Sequence, residues 1–415
     1  MFQRRTLIVA AAGLLFTALS PAYAVDSATP NDTARFLAGM PVDPASPLAS
    51  LTRDGSWQQH ARSFDGAFGR LDQGQLARIR AWSASNLTTP RPAMFYMFSG
   101  PDFLYANAFY PNAKTYVLAG LEPVGTVPDL TTLRGAVAPN LYHLHTSIST
   151  LLSHTFFITH RMRSDLHVGR VNGTLPILYV FLARSGKTVQ ETSLVRIDEQ
   201  GAVQPDDGSR SSGARGVKIV FAGSDGEPRT LYYFSTNLAD DGVKNSNFLK
   251  FLESLGPGDS LIKSASYLLH SGGFNKVRDF LVANSAAMVQ DDSGVPLRYY
   301  DPKKWELHPF GRYLGPIGVF PGRYQPAYSA LFRNSRSIDF GIGYRWRPNE
   351  SNLLLAVKKA DVAPDAAATP NSAEGPRSES TAAQTADATN NSVPRQQRRQ
   401  YRPAYRSPFD WWRYR

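Results

Sequence analysis

The residues best placed to do chemistry follow two apolar runs: Ser99, Gly100 and Asp102 come after Met94–Phe98, and Glu122 comes after Thr115–Leu121. A serine hydroxyl is a latent nucleophile and an aspartate an acid or base, so Ser99 and Asp102 would suit a hydrolase if a base stood beside them. Glu122 lies 22 residues beyond Gly100, close to where a dinucleotide-binding unit places the carboxylate that accepts from ribose hydroxyls. Neither pattern is complete. One glycine stands where G-x-G-x-x-G is wanted, no G-x-S-x-G elbow surrounds Ser99, and no base partner is identified. Ser99 and Asp102 also fit simple capping of a helix N-terminus, with Glu122 merely ending a strand. The expectation is a small-ligand edge made by Ser99, Gly100, Asp102 and Glu122, with hydrolysis of an envelope substrate through Ser99, Asp102 or Glu122 as the alternative. Arg298 and Arg312, among the tyrosines of 299–324, are further candidates for holding a carboxylate or sugar, or for clamping their loop.

The other titratable clusters read more plainly. His143, His145, His154, His160 and His167 crowd one stretch, but on a helix His143 and His154 stand about 16 Å apart, and His143 and His145 point opposite ways. No shared metal ion is expected, and His145 falls on the apolar face beside Leu141 and Ile148 as a core histidine. Asp240-Asp241-Gly242 and Asp291-Asp292 lack the ligand spacing of a calcium loop, so both are expected as solvated turns. Neither a metal nor a cofactor is expected.

The elements that must position these groups read as α/β. Met94–Phe98 and Thr115–Leu121 do not alternate, which predicts strands buried on both faces. Pro101 to Tyr110 between them predicts a short helix with Pro101 at its first position and Asp102 at its positive end. The connection is long enough for a parallel, right-handed crossover, and ligands bind beyond the carboxyl ends of such strands. Trp57–Trp82 and Pro139–Ile158 read as helices. Ile177–Ala183 reads as a third central strand, followed by Thr192–Ile197, Gly216–Ala222 and Thr230–Phe234, the last two joined by a hairpin turn at 224–228. Apolar stripes through Phe248–Leu255, Leu261–Leu269 and Phe274–Met288 predict three helices against one face of the sheet. Ile338–Trp346 and Leu353–Val357 predict a C-terminal strand hairpin. The fold class is therefore a mixed, partly parallel sheet with flanking helices.

Composition sets the outer limits. The 415 residues, 42% apolar, contain no cysteine, which excludes disulfides and thiolate metal sites. Residues 1–24 read as a signal peptide, with Arg4-Arg5, an apolar segment from Leu7 to Leu19 too short to span a bilayer, and Ala22-Tyr23-Ala24 as a cleavage signal. The protein is thus expected to be periplasmic or extracellular, with no transmembrane helix in the mature chain. Residues 25–55 predict a flexible leader, 56–359 the globular domain, and 360–394 a disordered Ala/Ser/Thr-rich linker. The tail, 395–415, carries seven arginines and one aspartate. It accounts for +6 of the net charge of +11, and Arg4-Arg5 for another +2, so only about +3 belongs to the rest. Nucleic acid is therefore not the expected partner. In the tail Arg398, Arg399, Arg402, Trp411, Trp412 and Arg413 combine charge with aromatic surface and point to an anionic envelope surface or polysaccharide. The runs FYMFSGPDFLYANAFYP and FGRYLGPI resemble a family of exported bacterial α/β proteins of no known activity. The resemblance covers roughly residues 90–320 and implies no function.

Overall fold

The apolar runs on either side of Ser99 form neighbouring strands, β1 (Ala93–Tyr96) and β2 (Thr115–Gly120), paired in parallel with Phe95 opposite Val117. The helix Phe103–Phe109 makes the expected crossover, but Pro101 lies in the preceding turn rather than at the first helical position, and Asp102 is the cap. The computed structural model describes residues 28–133, 137–154, 171–209 and 212–359. The expected signal peptide, the linker from 360 and the basic tail lie outside the described residues, as do His160 and His167.

Further strands are β3 (Thr188–Ile197), β4 (Val203–Pro205), β5 (Arg215–Ala222), β6 (Pro228–Ser235), β7 (Gly258–Ile262), β8 (Ser285–Gln290), β9 (Trp305–Gly311) and β10 (Asn352–Lys358). They form one ten-stranded sheet in the order β4-β3-β5-β6-β2-β1-β7-β8-β10-β9. The central block β6-β2-β1-β7-β8 is parallel throughout, and antiparallel strands extend it at both edges. From β1 the chain passes to its neighbour β2, jumps to the far edge for β3 and β4, comes back inward through β5 to β6, and then crosses over to lay down β7 and β8 on the other side of β1. The order reverses between β1 and β7, and that is the switch point where a crevice opens in sheets wound both ways.

Successive side chains of a strand face opposite ways, and here each face has its own core. Met94, Tyr96, Tyr116 and Leu118 pack under the helices Gly55–Leu71, Ala77–Asn86, Val137–His154 and Leu175–Arg184. Phe95, Met97, Val117 and Ala119 pack against the helices Phe248–Ser254 and Asn275–Asn284. Parallel strands covered on both faces must be apolar all round, which is why β1 and β2 do not alternate.

Four expectations are corrected. Ile177–Ala183 is not a strand but the middle of the helix Leu175–Arg184, buried along its length. A wholly buried helix has no polar face, so its periodicity is erased; Pro176 in its first turn is the remaining local sign. Residues 25–55 are not an extended leader where described: Thr29 caps the helix Pro30–Leu37, whose Phe36 and Leu37 enter the core. The Trp57 indole donates to the Phe36 carbonyl at 3.0 Å. The stripe Leu261–Leu269 is the end of β7 and the loop after it, and Met288 belongs to β8. Finally, β10 takes β9 and β8 as antiparallel partners rather than Ile338–Trp346, which holds only an isolated bridge.

His145 is a core histidine, as its position suggests. His60 Nε2–H donates to the Leu37 carbonyl at 2.8 Å, which leaves His60 Nδ1 bare to accept from His145 Nε2–H at 2.6 Å. Burial pushes His60 down to about 4 and His145 to about 2. Both lie below an exposed imidazole, so the unfolded chain takes up protons first as pH falls. Stability present above about pH 6.5 is then lost on acidification. Asp259 acts in the opposite sense, since burial raises it to about 6 and its protonation favours the folded state below that pH. Replacing both imidazoles (His60→Leu with His145→Leu) should therefore remove acid lability. Between pH 7.5 and 5, the wild type should lose on the order of 2–4 kcal/mol relative to the variant in denaturant unfolding.

Candidate functional site at the switch point

β1 ends in a turn whose backbone takes the left-handed region twice, at Phe98 (φ 61°) and Gly100 (φ 56°). The amides of Ser99 and Gly100 both donate to the Ala119 carbonyl, at 3.0 and 3.2 Å, and so fasten this turn to the end of β2. The Ser99 hydroxyl points at the carbonyls of Gly100 (2.7 Å) and Ala119 (3.3 Å) and is buried. Its proton is engaged by backbone, which suits a turn-forming residue rather than a nucleophile. Asp102 caps the helix Phe103–Phe109 through the Tyr105 amide (3.2 Å). Its other oxygen accepts from Tyr96 Oη (2.8 Å) and Lys263 Nζ (2.9 Å), with both members of the ion pair buried. Lys263 Nζ also sits 4.1 Å from the centre of the Tyr105 ring. Burial, together with the adjacent Asp102 charge, holds Tyr96 well above the usual phenol range, so it remains a donor.

Glu122 follows β2 and is only 2% exposed, its carboxylate tucked beneath the Gly100 turn. A Cβ on Gly120 would overlap that carboxylate and reach within 3.0 Å of Gly100 Cα. Tyr233 of β6 donates to the Glu122 carbonyl at 2.8 Å and stands 3.3 Å from its Oε2.

Across the crevice, β7 is followed by Lys263 and then by a turn in which Ser264 (φ 53°), Ser266 (φ 50°) and Tyr267 (φ 54°) are all left-handed without being glycine. Each such residue costs about 1–3 kcal/mol and persists only where its surroundings over-determine it. Here they do. The Ser264 amide donates to Asp291 Oδ2 (3.0 Å) and the Ala265 amide to Ser293 Oγ (2.8 Å). Tyr267 Oη donates to Asp292 Oδ2 at 2.6 Å. Tyr344 Oη donates to the Ser264 carbonyl (2.9 Å) and accepts from the Ser266 amide (3.1 Å).

The pair Asp291-Asp292, expected as a solvated turn, is therefore buried at the end of β8. Desolvation first, and then the neighbouring Asp292 charge, raise Asp291 to about 6; desolvation also raises Asp292. Asp240-Asp241-Gly242, also expected as a solvated turn, instead opens the helix Asp240–Ser246; Asp240 is half-buried and accepts from the Lys276 amide (2.8 Å) at the start of the helix Asn275–Asn284, while Asp241 is exposed.

Between the two turns lies a cleft of about 140 Å³ lined by Phe98, Gly100, Leu121, Glu122, Ser264 and Phe274, among others. Phe98 and Phe274 meet with ring centroids 6.0 Å apart, and Leu121 stands half exposed. The Ser264 hydroxyl is buried with no partner among the described residues. The structure thus brings Gly100 and Glu122 to one cavity, sets Ser99 and Asp102 just behind its wall, and leaves Arg298 and Arg312 exposed outside its lining. Arg298 lies over the Tyr299 ring. A wider hollow of about 720 Å³ beside Arg35 and Asp43 is open and polar, and its Asp32 is already engaged by Thr29 Oγ1 and the Asp43 amide. Among the described residues no three His, Asp or Glu side chains converge as metal ligands, and no helix is long and apolar enough to cross a membrane. Arg398, Arg399, Arg402, Trp411, Trp412 and Arg413 lie outside the described residues. Sequence reasoning missed Lys263, Ser264 and Tyr344, since SLIKSASYLL carries helix-like spacing and hides the strand end.

Comparison of the chain with protein-family models, with curated proteins and with solved structures finds no match.

The Lys263–Asp102 pair gives a direct test. Lys263→Met leaves a buried carboxylate without its cation and should cost about 3–5 kcal/mol. Adding Asp102→Asn, which keeps an acceptor for the Tyr105 amide, should restore most of that loss in chemical denaturation.

Proposed function

We propose that this is an exported protein that binds a small, hydroxyl-bearing polar molecule in the cleft between the ends of β1, β2 and β7. The observation that carries this reading is the placement of Glu122. A carboxylate at the end of the second strand of a doubly wound block, beneath a glycine turn, suits acceptance from vicinal hydroxyls such as those of a ribose. Phe98, Leu121 and Phe274 offer an apolar wall for a flat ring, and Ser264 a further hydroxyl on the opposite side. This mixture of apolar lining and few polar groups is what small-molecule sites use for affinity and orientation.

The same geometry disfavours a phosphate as the main recognition element. Asp102 already occupies the start of a helix of only 7 residues, and Glu122 adds a second carboxylate nearby. A neutral or cationic ligand is favoured. A hydrolytic role through Ser99 or Asp102 has little support, because the Ser99 proton and both Asp102 oxygens are engaged. Export rests on residues 1–24, and contact with an anionic envelope surface on the arginines and tryptophans of 395–415.

Thermal unfolding against nucleosides and monosaccharides tests the cleft. A stabilising ligand is expected for the wild type, with its effect abolished in Glu122→Gln and in Gly120→Ala; an unaltered shift in both variants would refute the assignment. For the tail, deletion of 395–415 should release the protein from envelope fractions at low salt, and unchanged retention would remove that role.

A further inference from the structure

The segment from Arg312 to Ile338 contains four arginines (Arg312, Arg323, Arg333 and Arg336) and no carboxylate. Within it, the loop 312–324 carries three of the six large hydrophobic side chains exposed among the described residues: Val319 at 75%, Tyr324 at 55% and Leu314 at 45%. Isolated exposed apolar residues need no explanation, but their concentration on one basic loop does.

This exposure is built in. Arg345 Nε donates to the Gly315 carbonyl at 2.6 Å and its terminal nitrogen to the Pro316 carbonyl at 3.1 Å, holding the backbone next to Leu314. Phe320 turns inward and packs on Tyr267 and Tyr344, each with ring centroids 5.2 Å apart. Tyr324 stacks on Tyr313, whose hydroxyl accepts from the Gln325 amide at 2.8 Å. With Phe320 anchored and Arg345 clamping the base, Leu314 and Val319 are left outermost.

We propose that loop 312–324 docks on an anionic lipid surface, with Leu314 and Val319 entering the headgroup boundary and Arg312 and Arg323 meeting lipid phosphates. Aliphatic tips between arginines, with tyrosines beside them, are the composition that an interfacial segment needs. Arg312 and the tyrosines are able to contact sugar hydroxyls, but the outermost side chains, Leu314 and Val319, are aliphatic and bury area only at a lipid boundary, which argues against a polysaccharide. The charge sign of the segment selects an anionic partner. Because Phe320 rests on Tyr267, next to Ser264 and Ser266, docking would bring the cleft close to the lipid. The inference is independent of the cleft's ligand and of the tail.

The absence of cysteine allows a site-specific test on the chain 25–415, the form that export would leave. An environment-sensitive fluorophore is attached at Val319→Cys, at Ser407→Cys in the tail, or at the exposed hairpin residue Ser224→Cys as control. Each protein is mixed with phosphatidylcholine vesicles or an equimolar mixture with phosphatidylglycerol. The expected result is a blue shift at 319 with anionic vesicles only, reversed at about 1 M salt, and none at 224. In sedimentation, Leu314→Asp with Val319→Asp should lower binding about tenfold or more without changing the melting temperature, since both sites are exposed. A shift at 407 with none at 319 would assign membrane contact to the tail and overturn the proposal. Undiminished vesicle binding by the double variant would overturn it too, as would loss of a dimer in that variant with no vesicle binding by the wild type.

Discussion

The buried pair between Lys263 and Asp102 joins the two halves of the sheet at the point where its winding reverses. Lys263 extends from the end of β7, and Asp102 opens the helix that follows β1. Each is almost fully removed from water, where a lone charge would be costly, so each requires the other and the donors around them. Tyr96 and the Tyr105 amide complete the carboxylate, and the Tyr105 ring faces the ammonium. The pair fixes the crevice floor and takes Asp102 out of consideration as a reactive group. Glu122 is left as the carboxylate that lines the cleft.

Around that floor, backbone strain is held by buried polar groups. Two adjacent carboxylates at the end of β8 are unfavourable to bury, and their raised pKa values express that cost. What they gain is a set of hydrogen bonds to the turn 264–267, supplemented by Tyr344 from a distant part of the chain. Strain of this kind gathers where a backbone has been shaped for a task. Phe320 then ties the exposed loop 312–324 to the same turn. Cleft, strained turn and apolar loop are therefore mechanically one region, although they come from four separate stretches of sequence.

Much of the parallel centre was legible beforehand. Met94–Phe98 and Thr115–Leu121 are short, wholly apolar and bounded by turn residues, and the intervening segment has the length and capping residues of a crossover helix. The hairpin of β5 and β6 was legible from its turn. Leu175–Arg184 was misread because full burial removes the polar side that identifies a helix. The Phe36 and Leu37 helix was missed because its few apolar residues sit in a Pro- and Ser-rich context and acquire meaning only when the core receives them. Asp291-Asp292 looked like a surface turn because DDSG is one in isolation; residues 338–346 cover it from far along the chain.

By itself, the sequence determined the α/β class, the β1–helix–β2 unit and the edge at which Gly100 and Glu122 meet. Those properties follow from local patterning, since a strand buried on both faces, an aspartate-capped helix and a turn glycine each show in a few adjacent residues. Tertiary structure alone decided which side chains that edge receives from elsewhere. Lys263, Ser264, Tyr344 and the aspartates of β8 reach it through strand order, and strand order is set by how distant apolar faces pack together. The same reason turned Ser99 and Asp102 from candidate reactive groups into structural ones: beside their local partners, Ser99 meets the Ala119 carbonyl of β2 and Asp102 the lysine that follows β7, and no short window of sequence contains those.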